Sequence, residues 1–202
     1  MHRRAFLGAL SVGLTSAVVS KAANITHPTG AMTAYVAHPQ HIVQACPMWC
    51  WAASAAMIFA AAGRPVNQLD IVQATYGGLV CQGANTFSIT QALSKPWQDL
   101  NGQVFLPKIT AGYDAFTGFL GITDAFIVNE LANNRPILYC NQSHAMVLVS
   151  CDYLPTPGQP TILGAGVLDP FPSSPAFHPL SPNELRPVYN GGVMTYLASV
   201  SI

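Results

Sequence analysis

Charged residues are scarce in this sequence, and their scarcity excludes several classes of protein. Lysine, arginine, aspartate and glutamate make up only 8% of the 202 residues, whereas half of the residues are hydrophobic. This composition is typical of a globular protein and argues against an intrinsically disordered chain. The formal net charge is zero and no basic run is present. The sequence therefore predicts that nucleic acid is not a partner.

The sequence also lacks internal repeats, and the apolar stretch near its N-terminus is too short to span a membrane. That stretch runs from Ala5 to Val19, and a spanning helix needs roughly 20 apolar residues. With Arg3 and Arg4 before it and small residues after it, residues 1–23 are predicted to be a cleaved export signal. The adjacent arginines favour the twin-arginine type, with an ordinary Sec signal as the alternative. We expect no stable membrane insertion after the signal is removed.

Export determines how the five cysteines are interpreted. Removing the signal takes away Arg3, Arg4 and Lys21 and leaves five basic and eight acidic side chains, from eight of each. The mature protein would then lie in the periplasm or outside a bacterial cell. An oxidising compartment favours disulfides, but five cysteines cannot all pair. At least one thiol must remain unpaired.

Helix-forming sequence dominates the first half of the mature chain. Residues 24–43 have no clear period and are interpreted as a lead-in segment, with a short strand within residues 32–38. Three helices are predicted to follow, at Cys50–Ala62 before Gly63 and Pro65, at Asn67–Gly77 with Asn67 as the cap, and from Thr86 to before Pro96. The first is rich in alanine and has no polar face, so we expect it to be buried on most sides.

Strands dominate the second half. One helix is predicted at residues 123–134, capped by Thr123, and strands are predicted at residues 103–110, 136–140, 144–153, 161–170 and 191–202. Helices first and antiparallel strands second indicate an α+β chain. We expect a helical lobe at about residues 44–100, a sheet lobe at about residues 101–202, and a cleft between them for chemistry.

Cys50 stands at the predicted start of the first helix. The helix dipole places about half a positive charge there, which stabilises a thiolate and lowers the pKa of a cysteine. Because buried free cysteines are more often inert than reactive, this position alone does not identify a nucleophile. A nucleophilic thiolate also needs a base within reach.

His144 is the histidine best placed to be that base, because it opens a predicted strand after a polar turn. Asp169 ends the next predicted strand, and a hairpin places the start of one strand beside the end of its neighbour. Asp169 could therefore orient the imidazole of His144. The other histidines lie in the signal, in the lead-in segment with its prolines, or in a loop without periodicity: His2, His27, His38, His41 and His178.

Gln44 lies six residues before Cys50 and offers a donor for an oxyanion. The order Gln44, Cys50-Trp51, His144, Asp169 resembles the papain-like cysteine peptidases. In that superfamily a glutamine precedes Cys-Trp by six residues, the cysteine begins a long buried helix, and the histidine starts a strand as His-Ala. The resemblance implies that Cys50 is the nucleophile, His144 the base and acid, Asp169 the residue that orients His144, and Gln44 the oxyanion donor.

The same resemblance implies further roles. Aspartate as the third member, here Asp169, is similar to the bacterial branches of the superfamily, and Phe171 looks like the aromatic residue that shields the histidine–carboxylate hydrogen bond. Cys46 and Cys81 look like a family disulfide, and Gly83 is similar to a glycine whose backbone holds substrate. About twenty residues separate the predicted signal from Gln44, too few for a papain-style inhibitory propeptide.

Cys140 and Cys151 precede and follow His144 on neighbouring predicted strands. In a tight hairpin they would be several residues out of register, whereas a disulfide needs Cα atoms within roughly 7 Å. We expect both thiols to be unpaired and buried.

The resemblance thus predicts an exported bacterial cysteine peptidase of α+β, papain-like fold. It would act as a monomer on a protein or peptide, without a metal or other cofactor. A competing hypothesis is a structural zinc module that uses Cys46, Cys50, Cys140 and His144, whose Cys-x3-Cys and Cys-x3-His spacings fall within the range of metal sites. Two further hypotheses keep the papain-like fold: a transglutaminase or amidase that uses the same acyl-enzyme, and a binding protein without turnover.

Overall fold

A computed structural model describes residues 25–26, 30–157 and 159–202 of the chain. The predicted export signal at residues 1–23 therefore lies outside the described residues. Within the described ranges, none of the helices combines the length and the apolar character needed to cross a membrane.

The described ranges contain four α-helices, each at a place where the sequence predicts one. They are α1 (Cys50–Ala61), α2 (Gln68–Tyr76), α3 (Thr86–Ala92) and α4 (Asp124–Ala132). Three begin at a capping side chain whose oxygen accepts a hydrogen bond from a backbone N–H of the first turn: Asn67, Asn85 and Thr123. The caps at Asn67 and Thr123 were predicted, while α3 is capped by the residue before the predicted start.

The first helix, α1, is deeply buried. Every residue from Trp51 to Phe59 is buried, as expected for an alanine-rich helix without a polar face. The helix contacts α2, α3 and the neighbouring strands of the sheet. Cys50 is only partly buried at its N-terminal end.

Eleven strands are present in the described ranges. They are β1 (Ile25–Thr26), β2 (Met32–Tyr35), β3 (Trp97–Gln98), β4 (Val104–Phe105), β5 (Lys108–Asp114), β6 (Phe119–Leu120), β7 (Ile137–Asn141), β8 (Ala145–Leu154), β9 (Thr161–Leu168), β10 (Phe177–Pro179) and β11 (Met194–Ser201). Nine of them form one antiparallel sheet, and β3 and β4 form a separate pair. The chain therefore has an α+β architecture with a large antiparallel sheet.

Strand β8 is the centre of the large sheet. It pairs with β7 over Ala145–Leu148, with β2 over Ser150–Tyr153, and with β9 from Val147 onward. The order continues from β7 through β11 and β5 to β6, while β10 pairs with the outer edge of β9. The lead-in segment thus contributes β2 to the same sheet as the later strands.

The single strand predicted at residues 103–110 is divided into β4 and β5. Pro107 lies between them, and a proline has no N–H to donate to a strand ladder. As a result β4 pairs with β3, whereas β5 pairs with β11 in the large sheet.

The cysteines pair as the family resemblance implies, and the other three remain free. Cys46 and Cys81 form a disulfide, with their Cα atoms 5.9 Å apart. Cys50, Cys140 and Cys151 carry free thiols, and the last two are buried.

Candidate active site

Cys50 is placed by the start of α1. Backbone N–H groups of a first helical turn have no partner within the helix, and Trp49 at the N-cap makes no side-chain capping bond. Burial opposes ionisation of the Cys50 thiol, whereas the His144 side chain and the backbone N–H groups of Ala145 and Trp51 lower its pKa. The sulfur therefore lies among donors that stabilise negative charge.

His144 is held by the turn between β7 and β8. The Asn141 N–H donates to the His144 carbonyl at 3.0 Å. In return the Asn141 side-chain oxygen accepts from the His144 N–H at 2.8 Å and from the Ser143 N–H at 3.0 Å. This Asx turn fixes the backbone of His144 immediately before β8 begins.

Asp169 follows β9 directly and meets His144 across the β8–β9 pair. Val147 pairs with Leu168, so the residue after Leu168 lies beside the start of β8. His144 Nε2 is 2.6 Å from Asp169 Oδ1, which leaves the other ring nitrogen for the thiol. The Phe171 N–H also donates to Asp169 Oδ1, at 2.8 Å. The Phe171 ring meets the imidazole edge-on, with ring centroids 6.2 Å apart.

The three groups shift one another's pKa. Burial alone would lower the pKa of His144, but its hydrogen bonds with Cys50 and Asp169 raise that pKa to about 9. Burial would likewise raise the pKa of Cys50, yet the hydrogen bond with His144 brings it below its usual value. Burial also opposes ionisation of Asp169, and the bonds from His144 and Phe171 hold its pKa below the usual range. These interactions therefore favour the ionised forms of the three groups, which are thiolate, imidazolium and carboxylate.

Gln44 is buried in the loop before α1 and does not line the cleft at Cys50. Its side-chain nitrogen donates to the carbonyls of Cys46 at 3.0 Å and Pro47 at 2.8 Å, and its backbone N–H donates to Pro170 O at 2.9 Å. The buried side-chain oxygen has no hydrogen-bond partner within the described residues. The structure therefore brings Cys50, His144 and Asp169 together but holds the Gln44 amide on its own loop.

Gln68 supports the loop that carries Gln44, a role that no sequence pattern predicted. Its side-chain oxygen accepts from the Ala45 N–H at 2.9 Å, and its nitrogen donates to Val43 O at 2.9 Å. Both ends of one buried amide thus hold the backbone on either side of Gln44. The sequence contains no local pattern that would have revealed this long-range contact.

The tryptophans on either side of Cys50 hold the loop that carries Cys81. The Trp49 indole donates to Val80 O at 2.8 Å, and the Trp51 indole donates to Gln82 O at 3.2 Å. The Tyr76 hydroxyl donates to Gly83 O at 2.6 Å. The loop is therefore fixed at several points besides the disulfide, and the carbonyl of Gly83 already accepts a hydrogen bond from Tyr76.

Two histidines that the sequence did not favour as catalytic groups also contact Asp169. His41 Nε2 lies 2.6 Å from the backbone oxygen of Asp169. His178 Nε2 lies 3.4 Å from the second carboxylate oxygen, Oδ2. His178 belongs to β10, a strand that was interpreted as a loop because three residues are too few to show a period.

The cleft beside Cys50 has a volume of about 890 Å³, within the range of small-molecule sites. Among the described residues that line the cleft, only Asp169 and His144 are of the Asp, Glu, Lys, Arg and His types. Several apolar side chains are exposed there: Met48, Phe87 and Phe116. The remaining lining residues come from the loop before α1 and the start of that helix, from α3 and the loop before it, from the β7–β8 hairpin, from Thr195 of β11, and from the loops after β5 and β9.

The hypothesis of a zinc module with four ligands is wrong. Cys46 is bonded to Cys81 and cannot supply a thiolate to a metal. Within the ranges that the structure describes, no group of three or more histidine, cysteine or acidic residues is arranged to hold a metal ion.

Comparison with known proteins gives little further guidance. No family model matches the chain, and no curated protein matches it. One similar solved structure is a double glycine motif protease from an AMS/PCAT transporter, in complex with the leader peptide. It is 18% identical, the match covers 83% of this chain and 96% of that chain, and the TM-score is 0.43. At this level of similarity, an assignment of function must rest on the residues of the site.

Proposed function

We propose that this protein is a papain-like cysteine peptidase that hydrolyses peptide bonds through a thioester acyl-enzyme. The observation that carries the proposal is that Cys50, His144 and Asp169 line one cleft, with His144 Nε2 2.6 Å from Asp169 Oδ1 and the His144 side chain lowering the pKa of Cys50. A thiol, an imidazole and a carboxylate in that order are the groups that nucleophilic acyl transfer requires.

The first half of the reaction would use Cys50 as the nucleophile. Its thiolate attacks the carbonyl carbon of the scissile bond and forms a tetrahedral oxyanion beside the N–H groups at the start of α1. The His144 imidazolium then gives its proton to the leaving nitrogen, the C–N bond breaks, and a thioester remains on Cys50.

The second half would use the now neutral His144 as the base. It takes a proton from a water molecule whose oxygen attacks the thioester carbonyl. Collapse of the second oxyanion breaks the C–S bond, releases the product as a carboxylic acid that loses its proton to solvent, and restores the thiolate–imidazolium pair. Asp169 keeps the imidazole oriented in both halves and stabilises its positive form.

Gln44 is proposed as the side-chain donor to the oxyanion. Both hydrogens of its amide now face the carbonyls of Cys46 and Pro47. One hydrogen must therefore exchange its carbonyl for the oxyanion when substrate binds. The backbone N–H of Cys50, at the first position of α1, would supply the second donor.

The cleft favours an uncharged, partly apolar peptide segment as substrate. A charged substrate side chain that entered it would lose water without meeting an opposite charge outside the catalytic pair. Export from a bacterial cytoplasm remains part of the proposal and is supported by the Cys46–Cys81 disulfide. We propose that the mature protein is a monomer and is active without a metal or other cofactor.

A peptide library that includes a primary amine acceptor tests the proposal. We expect hydrolysed peptides that Cys50→Ser abolishes and that the matched variant Cys151→Ala retains, since Cys151 is a buried thiol of β8 outside the cleft lining. Mass spectrometry separates hydrolysis from transfer, because amine-linked products in place of acids would make the protein a transglutaminase. Cleavage that survives Cys50→Ser would refute the mechanism.

A further inference from the structure

The carboxylate of Asp169 is contacted on both of its oxygens. Oδ1 accepts from His144 and from the Phe171 N–H, at 2.6 and 2.8 Å. Oδ2 faces His178 Nε2 at 3.4 Å. The Ser174 side chain is a further partner of the carboxylate. Because Asp169 is only 4% exposed, water cannot readily replace a lost partner on Oδ2.

Strand β10 packs beside β9 so that His178 reaches Oδ2 of Asp169. His178 pairs with Val167, and alternation along a strand places Val167 and Asp169 on the same face. The Asp169 N–H donates to Ala176 O at 3.0 Å, which extends the pairing by one residue. On the opposite face the ring of Phe177 covers Gly166, where an added Cβ would lie 2.5 Å from ring atoms.

We infer that His178 is a positioning residue for the proposed peptidase reaction. A carboxylate held through one oxygen can turn about its Cβ–Cγ bond and carry Oδ1 away from His144. A donor on Oδ2 fixes the plane of the carboxylate, so that His144 stays aligned between Asp169 and Cys50. This inference rests on the proposed function of Cys50 and His144, and it assigns His178 no contact with substrate.

The two ring nitrogens of His178 face different acceptors, which makes the inference testable. Nε2 faces Asp169 Oδ2, whereas Nδ1 lies 3.2 Å from Pro179 O. A glutamine side chain reaches about as far as Nε2, and an asparagine side chain only about as far as Nδ1. His178→Gln therefore retains the donor to Asp169, and His178→Asn retains only the donor to the neighbouring carbonyl.

We expect His178→Asn to lower kcat about 3- to 10-fold with KM unchanged, the effect of one lost hydrogen bond. The rate of Cys50 alkylation by iodoacetamide should fall together with kcat. In His178→Gln, most of kcat and most of the alkylation rate should be retained. His38→Asn is the control, because His38 is an exposed histidine outside the cleft lining. Thermal unfolding of each variant measures any purely structural effect.

Two results would overturn the inference. If wild-type Cys50 reacts rapidly but the asparagine and glutamine variants have equal rates, His178 does not position Asp169 and the proposed function stands. If wild-type Cys50 reacts no faster than Cys151, the proposed function fails and the inference fails with it.

Discussion

Asp169 is the residue on which the contacts of the site converge. Its carboxylate meets His144, Phe171, Ser174 and His178, and its backbone oxygen meets His41. Burying a carboxylate is costly unless each oxygen is hydrogen-bonded. This set of partners therefore allows an anion to persist at the edge of the sheet and to hold His144 in its protonated form.

Replacing the Asp169 carboxylate by a neutral amide of the same shape isolates the role of its charge. In Asp169→Asn the side-chain oxygen can still accept from His144, but the imidazolium loses its ionic partner. We expect kcat/KM to fall about 10-fold, the usual difference between a charge-assisted and a neutral hydrogen bond. Asp169→Ala should cost more, because it also removes the acceptor. Equal losses in the two variants would contradict a role for orientation.

The pH dependence of the reaction should follow the raised pKa of His144. Hydrolysis needs His144 protonated to release the leaving nitrogen, and its pKa is raised to about 9. The protonated form is complete well below that pH and is lost as the pH rises through it, so kcat should fall there. Alkylation of Cys50 needs only the thiolate and should not fall. Parallel pH profiles of hydrolysis and iodoacetamide labelling measure the difference, and a decline of both would contradict the assignment.

At the scale of secondary-structure elements, local sequence predicted the helices and long strands well. Uninterrupted helix-forming residues, caps such as Asn67 and Thr123, and period-two strands are all local features. The sequence did not reveal β10, because three residues carry no period, or the division at Pro107. Gln68, His41 and His178 were missed for a related reason. Their roles come from partners more than eight residues away along the chain, which no local pattern encodes.

The Cys46–Cys81 disulfide should stabilise the loop that precedes the nucleophile. The bridge spans a sequence separation of 35 residues. In the chain-entropy description, a loop of this length lowers the free energy of the folded state relative to the unfolded state by about 3 to 4 kcal/mol. The double variant Cys46→Ala/Cys81→Ala should lose about that much free energy of unfolding in denaturant titrations. A reductant should then destabilise the wild type but leave the double variant unchanged. No loss in the variant would show that the loop is held by its tryptophan contacts alone.

The docking of β10 depends on a glycine in β9. An added Cβ at Gly166 would lie 2.5 Å from the Phe177 ring and 2.6 Å from Ser150 Oγ, whereas at Gly164 the nearest atom is 3.9 Å away. Gly166→Ala should therefore displace β10, lower the free energy of unfolding by about 1 to 3 kcal/mol and reduce kcat. Gly164→Ala is the matched control and should have none of these three effects. Equal effects of the two substitutions would contradict this packing.

At the scale of the whole molecule, the site exists only because distant segments meet. The loop before α1, the β7–β8 turn and the end of β9 are joined by contacts such as Gln44 N–H to Pro170 O, at 2.9 Å. The sequence predicted the chemical types and order of Cys50, His144 and Asp169, because catalysis demands particular side chains at the ends of particular elements. It could not predict that the Gln44 amide would face its own loop, since that orientation depends on packing.

Reactivity of the three free thiols tests the central claim most directly. Cys50 has a lowered pKa through His144, whereas burial raises the pKa of both Cys140 and Cys151. In the folded protein at pH 7, iodoacetamide should alkylate Cys50 at least about 10-fold faster than either of the other two, and His144→Ala should remove most of that advantage. Site-resolved mass spectrometry over time gives the three rates. Equal labelling of the three cysteines, or rapid labelling of Cys50 that is indifferent to His144, would contradict the proposed peptidase.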